Sequence, residues 1–345
     1  MIFCAKNVIF KAMSADFSWP IFGHKNQLKF LQDTLRQGRL ANTYLFYGPS
    51  GLGKKMVADH FAQSLFCQAK TAKPCGECQN CRLINRRTFL DLYKLGHNQD
   101  LSIDNVRDFL HSLSLSQVSG EKKLAIIYGV HNINLFSANA LLKTLEEPPK
   151  NTTIILIADS IVDLPATVIS RAQLLKFQSL SRSDMEAWLD NYDFSQAEKE
   201  TIINLSFGKP GVALKIMADH LDSFKSNANF ILKLLSSNTF NYMQAIDKWF
   251  EALKKDHAGY KVYELGNLTR DHLDLFEVFL RDLLWLKLGR PIVAEIYRDD
   301  LQKIAREFSA DNLVNNLLSL NKIKQKLSYN VSPQLLWENL LLSVK

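Results

Sequence analysis

Hydrophobic residues follow one pattern in the first half of the chain and another in the second half. Three short apolar runs have the length of buried strands: Thr43–Tyr47, Leu124–Tyr128 and Thr153–Ala158. Between the last two runs, Ser137–Glu147 has a helical pattern that ends at Pro148, because a residue before proline avoids the helical region. Strands that alternate with helices predict a mostly parallel sheet with helices on both faces.

The strand pattern ends near residue 180, and helical spacing replaces it. Polar breaks such as Gly208-Lys-Pro-Gly211 separate the helical segments that follow. From about residue 225 to the end, apolar positions keep a helical period, as at Leu273, Phe276, Leu280 and Leu283. The second half is therefore predicted to be helical.

Composition places the chain among globular proteins. It has 345 residues, of which 47% are hydrophobic and 22% charged, and this length suggests about two or three domains. No apolar run approaches the ~18–20 residues that span a bilayer. The first 19 residues are weakly apolar and contain Lys6 and Lys11, so we expect no signal peptide and a cytoplasmic location. The net charge of +7 permits contact with a polyanion without establishing one.

A glycine-rich loop follows the first predicted strand. Gly48 to Lys54 fits G-x-x-x-x-G-K, and Met56–Phe66 after it has helical spacing. Glycines let backbone N–H groups surround a phosphate, and the helix N-terminus and Lys54 add positive charge. The residues predicted to contact nucleotide are Gly48, Pro49, Ser50, Gly51, Gly53, Lys54 and Lys55.

Two departures argue against hydrolysis at this loop. Lys55 stands where a Ser or Thr hydroxyl would help to hold Mg²⁺, and Tyr128-Gly129 ends the strand that would supply a carboxylate. Nucleotide binding therefore stays open, while ATP hydrolysis is not expected. The alternative is a glycine-rich turn that is kept for its shape. His131, near the same strand end, is expected to be structural.

The cysteines supply a second candidate site. Cys4 stands alone, whereas the other four follow the spacing C-x7-C-x2-C-x2-C: Cys67, Cys75, Cys78 and Cys81. Clustered cysteines in a reducing compartment indicate a metal, and four thiolates suit a structural Zn²⁺ with no open position. Buried free thiols or a redox switch are the alternatives. A DNA-reading zinc finger is not expected, because no helix rich in base-reading side chains follows.

Several motifs together resemble one family. Ser137–Pro149 is similar to the signature of the AAA+ subunits of bacterial clamp loaders. Tyr44–Lys54, the cysteine module and Ser170-Arg171 occur in the order that this family has, and Asn330–Leu340 resembles its last collar helix. The resemblance extends from about Trp19 to the end of the chain.

The resemblance implies an α/β P-loop (AAA+) parallel-sheet domain with an inserted zinc module, then a small helical lid and an all-α collar. The implied boundaries are 1–180 for the AAA+ domain, with the zinc module at 67–81. The lid would cover 181–222, and the collar, which joins the subunits of the assembly, 223–345.

Within this family, gamma/tau motor subunits hydrolyse ATP, whereas delta-prime subunits generally serve as rigid stators. The chain resembles the stators, because Ala158 and Val212 stand where the motors carry a sensing Thr and a sensing Arg. The family motif Ser-Arg-Cys reads Ser170-Arg171-Ala172 here, so its arginine is intact. The resemblance implies that Arg171 is an arginine finger supplied in trans. The alternative is a salt-bridged surface arginine.

The resemblance also implies partners: gamma/tau and delta subunits, a sliding clamp and, through the complex, primed DNA within the DNA polymerase III holoenzyme at the replisome. Two rival functions remain. One is an ATP-hydrolysing motor subunit of the same assembly. The other is a zinc-dependent nucleic-acid-binding protein with no role in an assembly.

Overall fold

The computed structural model describes residues 16–96, 101–115, 122–162, 164–218, 221–236, 239–260, 262–326 and 331–344. Cys4, Lys6, Lys11 and Asn330, which entered the predictions above, lie outside the described residues. The chain divides into two compact units. The first ends at Phe194 and also includes Gly208–Val212, and the second comprises Ser195–Phe207 and the chain from Ala213 onward. The boundaries near 180 and 222 stay predictions.

A parallel sheet forms the centre of the first unit. In the described part of the chain its strands are β1 (Thr43–Tyr47), β2 (Leu92–Leu95), β3 (Lys123–Tyr128), β4 (Thr152–Ala158) and β5 (Gln173–Lys176). Their order is β2-β3-β4-β1-β5, and every neighbouring pair is parallel. This confirms the predicted α/β fold class. The three apolar runs lie on the interior strands, within one residue of their predicted bounds.

Helices cover both faces of this sheet. The described helices of the first unit are α1 (Lys25–Gln37), α2 (Lys54–Phe66), α3 (Gln79–Asn85), α4 (Ile103–Ser114), α5 (Leu135–Glu146), α6 (Ala166–Ile169) and α7 (Arg182–Leu189), and those that pack on the sheet are α1 and α2 on one face and α4, α5 and α6 on the other. A 3-10 turn, Val130–Asn132, follows β3. α5 ends at Glu146, ahead of Pro148, so the predicted proline stop is confirmed.

Alternate residues of the strands face two separate cores. Phe46, Leu124 and Ile126 pack with Phe61 of α2 on one face. Leu45, Ala125 and Ile127 pack on the other face against α4 and α5. All of these strand residues are almost fully buried. Each large apolar side chain that is fully buried stabilises the fold by about 1.5–3 kcal/mol, so this two-faced core holds the strand ends, and the loops that leave them, in fixed positions.

The second unit is helical where it is described. Its helices are α8 (Gln196–Ser206), α9 (Pro210–Ala218, which starts in the first unit), α10 (Leu221–Ser236), α11 (Thr239–Asp256), α12 (Val262–Lys287), α13 (Arg298–Ala305), α14 (Ala310–Lys326) and α15 (Pro333–Val344). A 3-10 turn, Glu295–Tyr297, precedes α13. Trp337 of α15 is fully buried against Trp249 and Phe276, with ring centroids 5.6 and 5.8 Å away. Among the described helices, none is long and apolar enough to cross a membrane.

Candidate functional site

Helix α2 connects the two sites that the sequence predicts. The glycine loop precedes its first residue, Lys54, and the cysteine cluster begins at Cys67, immediately after its last residue, Phe66. The helix is anchored through Val57, Ala58 and Phe61, which are fully buried under the sheet. Both sites are therefore held by one element of the sheet core.

The loop needs glycine at two positions where the backbone is crowded. Gly48 has φ 138°, and an added Cβ would overlap the carbonyl of Phe177. Gly51 has φ 82°, and its carbonyl accepts a 2.8 Å hydrogen bond from the N–H of Gly211. An added Cβ on Gly51 would lie 3.1 Å from Val212 Cγ2. Val212, expected at the position of a sensing Arg, thus lies on the loop as an apolar contact.

The amine of Lys54 is turned into the protein. Its side chain is 5% exposed. Nζ donates to the carbonyls of Gly48 and Pro49 and to Asp159 Oδ1, the last two at 2.8 and 3.0 Å. An ammonium has three N–H donors, so these acceptors engage all of them. Burial lowers the pKa of Lys54, and the Asp159 carboxylate partly opposes that shift. The lysine therefore stabilises its own loop.

Asp159 is the residue that the sequence reasoning missed. It follows β4, which lies directly beside β1, so its carboxylate reaches the start of α2. Its N–H donates to His131 Nδ1 at 3.0 Å, and this contact agrees with the expected structural role of His131. No motif in the sequence marks Asp159, and only the order of the strands places it here.

Lys55 has an aromatic partner. Its Nζ lies 5.4 Å from the centroid of the Tyr128 ring, a cation–π distance. The Tyr128 hydroxyl is 3.5 Å from Asp59 Oδ1, and Asp59 also pairs with Lys94 at 2.5 Å. Burial, followed by the Asp59 charge, raises the pKa of Tyr128, which keeps the phenol neutral. Where a Ser or Thr hydroxyl would help to hold Mg²⁺, this chain thus has the Lys55 ammonium stacked on the Tyr128 ring.

The four cysteines Cys67, Cys75, Cys78 and Cys81 come together as predicted. Their Sγ atoms all lie within 4.8 Å of one another, and all four thiols are free of disulfides. Four convergent sulfurs match the tetrahedral thiolate set that Zn²⁺ prefers. The cluster could therefore hold a metal ion.

Backbone N–H groups point at these sulfurs in sequence order. The N–H of Cys75 lies 3.4 Å from Cys67 Sγ, that of Cys78 3.3 Å from Cys75 Sγ, and that of Cys81 3.5 Å from Cys78 Sγ. Burial disfavours the Cys78 thiolate, but N–H groups of Gln68 and Cys81 outweigh it and lower the pKa of Cys78 to about 6. Such donors stabilise the thiolate form that a metal needs.

The cysteine module is attached to the rest of the first unit from a second side. Lys73 forms backbone hydrogen bonds with Asp16 and Ser18 at 2.8 and 2.9 Å. Trp19, next along the chain, donates from Nε1 to Ser64 of α2 at 2.8 Å. The module is therefore fixed to α2 by contacts that do not involve the sulfurs.

Arg171 and the glycine loop lie at opposite ends of the parallel strands. It stands two residues before β5 begins, whereas the loop starts where β1 ends, and β1 and β5 run parallel. Four residues of strand span about 13 Å. The guanidinium forms an ion pair with Glu146, and its Nη1 donates to the Thr167 carbonyl at 2.8 Å. The structure therefore brings the loop residues together and keeps Arg171 apart from them.

The signature segment occupies α5. Asn134 caps the helix by accepting the N–H of Ser137 at 2.8 Å. Leu141 and Leu145 are buried in the core beneath the sheet. Asn139 lines a cavity of about 490 Å³ whose wall also includes Arg107 of α4. The segment thus combines core positions with polar ones directed outward.

Two family models match the chain. One is described as DNA polymerase III, delta subunit, over residues 23–181, and the other as DNA polymerase III, delta subunit, C terminal, over residues 242–345. The Bacillus subtilis DNA polymerase III subunit delta′ is 31% identical over 330 residues, which cover 92% of this chain and 95% of that protein. The Escherichia coli subunit tau is 34% identical over 172 residues, half of this chain and 27% of tau.

A solved structure, that of a DNA polymerase III gamma subunit-related protein from Thermotoga maritima, is 17% identical with a TM-score of 0.47 and covers 92% of this chain and 98% of that one. The delta′ subunit of Haemophilus influenzae is 30% identical over 91% of this chain and 90% of its own length. With such identity along nearly its whole length, the chain belongs to the clamp-loader family of DNA polymerase III subunits that includes delta′.

Proposed function

We propose that this protein is a non-hydrolysing stator of the DNA polymerase III clamp loader. In the proposed assembly it binds gamma/tau and delta subunits, and the complex opens the sliding clamp and places it on primed DNA. Its site of action would be the replisome in the cytoplasm. The chain would hold one structural Zn²⁺ through Cys67, Cys75, Cys78 and Cys81, whose converging sulfurs support that assignment.

The glycine loop supports the absence of hydrolysis. Lys54 donates its hydrogen bonds to the loop itself and to Asp159, and Lys55 stands where a metal-binding hydroxyl would be. A working site needs a free lysine at the phosphates and a carboxylate at the metal. Nucleotide could enter this loop only by displacing the internal partners of Lys54. Hydrolysis by the assembly would then belong to the partner subunits.

The position of Arg171 is the observation that carries the proposed role in trans. It lies about a strand length from the chain's own glycine loop, so it cannot serve a nucleotide there. Its side chain is 33% exposed, which leaves the guanidinium open to a neighbouring molecule. A guanidinium delivered to a γ-phosphate stabilises the charge of the transition state. Arg171 would be such a finger for the adjoining ATPase subunit.

The test uses the reconstituted complex with wild-type, Arg171→Ala or Arg171→Lys protein. We expect slower ATP turnover for both variants, because lysine lacks the planar fork of arginine. Loss of a finger can reduce the rate at one site by ~10³–10⁵, and the other sites would dilute this in the whole complex. Arg182→Ala is the matched control, because Arg182 is another surface arginine in an ion pair, with Glu186.

Assembly is measured in parallel, so that a loss of turnover is not a loss of binding. Equal turnover for all four proteins at equal assembly would show that Arg171 has no catalytic role. Turnover by the purified chain alone would instead favour the rival motor function. Tight, salt-sensitive DNA binding by the chain alone would favour the nucleic-acid-binding function.

A further inference from the structure

The signature segment contains a carboxylate that the fold does not require. Glu146 is the last residue of α5, and its side chain is 49% exposed. The core contacts of this helix come from Leu141 and Leu145. Helix termination is explained by Pro148. A reason for glutamate at this position must therefore come from what its carboxylate touches.

That carboxylate touches Arg171. Glu146 Oε1 accepts from Nη2, while the Thr167 carbonyl accepts from Nη1 at 2.8 Å. Ser170 Oγ lies 3.4 Å from Nη1. The guanidinium is planar, so two acceptors on different helices fix both its position and the direction of its plane. Among the described residues, no contact to Nε is present, so part of the fork is left for another acceptor.

We propose that Glu146 is a positioning residue that holds Arg171 ready for the neighbouring subunit's nucleotide; this inference rests on the proposed finger role. Arginine has many rotamers, and ordering such a side chain at an interface is unfavourable. Glu146 orders it before the neighbour arrives. A half-exposed ion pair contributes little to folding stability, so the pair serves orientation rather than stability.

The expected effect on activity is moderate. Without Glu146, the arginine is still present but must be ordered during assembly or catalysis, which corresponds to about two- to tenfold in rate at the site it serves. Removing Arg171 itself abolishes the finger and has the larger effect. In a protein that already lacks Arg171, removing Glu146 should change nothing further, because there is no guanidinium left to hold.

The experiment compares the reconstituted complex with Glu146→Ala, Glu146→Gln, Arg171→Ala and the double variant. We expect turnover for Glu146→Ala between wild type and Arg171→Ala, partial recovery in Glu146→Gln because its amide oxygen still accepts, and a double variant equal to Arg171→Ala. Glu147→Ala is the matched control, because it removes the adjacent carboxylate outside this ion pair. Assembly and the free energy of unfolding are measured for each variant.

A second measurement uses the chain alone. Side-chain ¹⁵N relaxation at Arg171 Nε should show less order in Glu146→Ala and unchanged order in Glu147→Ala. Unchanged or faster turnover in Glu146→Ala, while Arg171→Ala is slow, would overturn the positioning role and leave the finger intact. The positioning role would also be overturned if the double variant were slower than Arg171→Ala by the same factor by which Glu146→Ala is slower than wild type. Wild-type turnover in Arg171→Ala would instead overturn the finger, and the positioning role with it.

Discussion

The two ends of helix α2 carry sites of opposite character. At the N-terminal end, the glycine loop has the spacing of a phosphate site, yet Lys54 is bonded to its own loop and to Asp159. At the C-terminal end, four thiols converge within 4.8 Å with no disulfide among them. One site has its charges satisfied inside the protein, whereas the other has its ligand atoms free for a metal.

The two ends of α2 show that a sequence motif determines geometry but does not by itself establish ligand binding. Spacing determines which atoms come close together, and both motifs fulfil their spacing. Ligand binding depends additionally on whether those atoms already have partners. A buried ammonium with three acceptors gains little from a further one, whereas four converging thiols that form no disulfide can share a cation. The same helix therefore has at one end a cluster that could hold a metal ion and at the other a lysine whose charge is satisfied inside the protein.

The largest expected effect is at the cysteine end. Cys78→Ser should reduce bound zinc from one equivalent to below half, because three thiolates no longer complete the tetrahedral set. Serine can still cap α3, where Cys78 now accepts the N–H of Cys81, so the change is confined to the metal. Metal analysis of carefully prepared protein is the measurement, and binding should weaken at acid pH as the thiolates take up protons.

Cys4→Ser is the control for this variant, because Cys4 is the fifth cysteine and does not belong to the C-x7-C-x2-C-x2-C spacing. The first unit should keep its sheet core in Cys78→Ser, since Lys73 and Trp19 attach the module independently of the sulfurs. Equal zinc content in the two serine variants, or less than half an equivalent in the wild type, would contradict a structural zinc site.

The loop end should respond in stability rather than in catalysis. Lys54→Ala should lower the free energy of unfolding by about 2 kcal/mol, because it leaves the buried Gly48 carbonyl, the partly buried Pro49 carbonyl and Asp159 without their donor. ATP hydrolysis by the purified chain should stay at background in both proteins. Denaturant titration and a phosphate-release assay measure the two quantities.

Lys55→Ala is the matched control for this prediction. Lys55 is exposed, and its amine stacks on the Tyr128 ring. Its removal should therefore lower the free energy of unfolding by less than about 1 kcal/mol. Mg²⁺-dependent hydrolysis that disappears in Lys54→Ala would show that the lysine acts on phosphate after all, and the contrast between the two ends of α2 would then fail.

Much of this arrangement was predictable because its signals are local. Interior strands such as β1 and β4 are buried on both faces and form continuous apolar runs. The four clustered cysteines lie within 15 residues, so their spacing alone indicates a candidate site. β2 and β5 escaped prediction because they are short edge strands with partly exposed residues.

Asp159 escaped prediction for a different reason. It reaches Lys54 across a sequence separation of 105 residues, and the contact exists only because β4 lies beside β1. The pairing of Glu146 with Arg171 likewise depends on α5 and α6 packing together. No periodicity or motif encodes such neighbours, since each pair depends on which strands or helices lie side by side in the fold.

The smallest expected effect separates the charge of Asp159 from its shape. Asp159→Asn should lower the free energy of unfolding at neutral pH by about 1 kcal/mol or less, because the carboxylate is one-third exposed. Burial already holds the pKa of Lys54 below its usual value, and losing the nearby charge should lower it further. Between that folded pKa and the usual 10.5, the unfolded chain binds more protons, so stability rises with pH. The loss of stability in the variant should therefore shrink as pH rises toward 10.5, because a neutral amine needs no counter-charge.

Asp16→Asn supplies the comparison, since its partner Arg36 stays charged throughout and the stability lost in this variant should not change with pH. Urea titrations at pH 7, 8.5 and 10 measure both deficits, and two parallel pH profiles would mean that Asp159 supports the loop by shape rather than by charge.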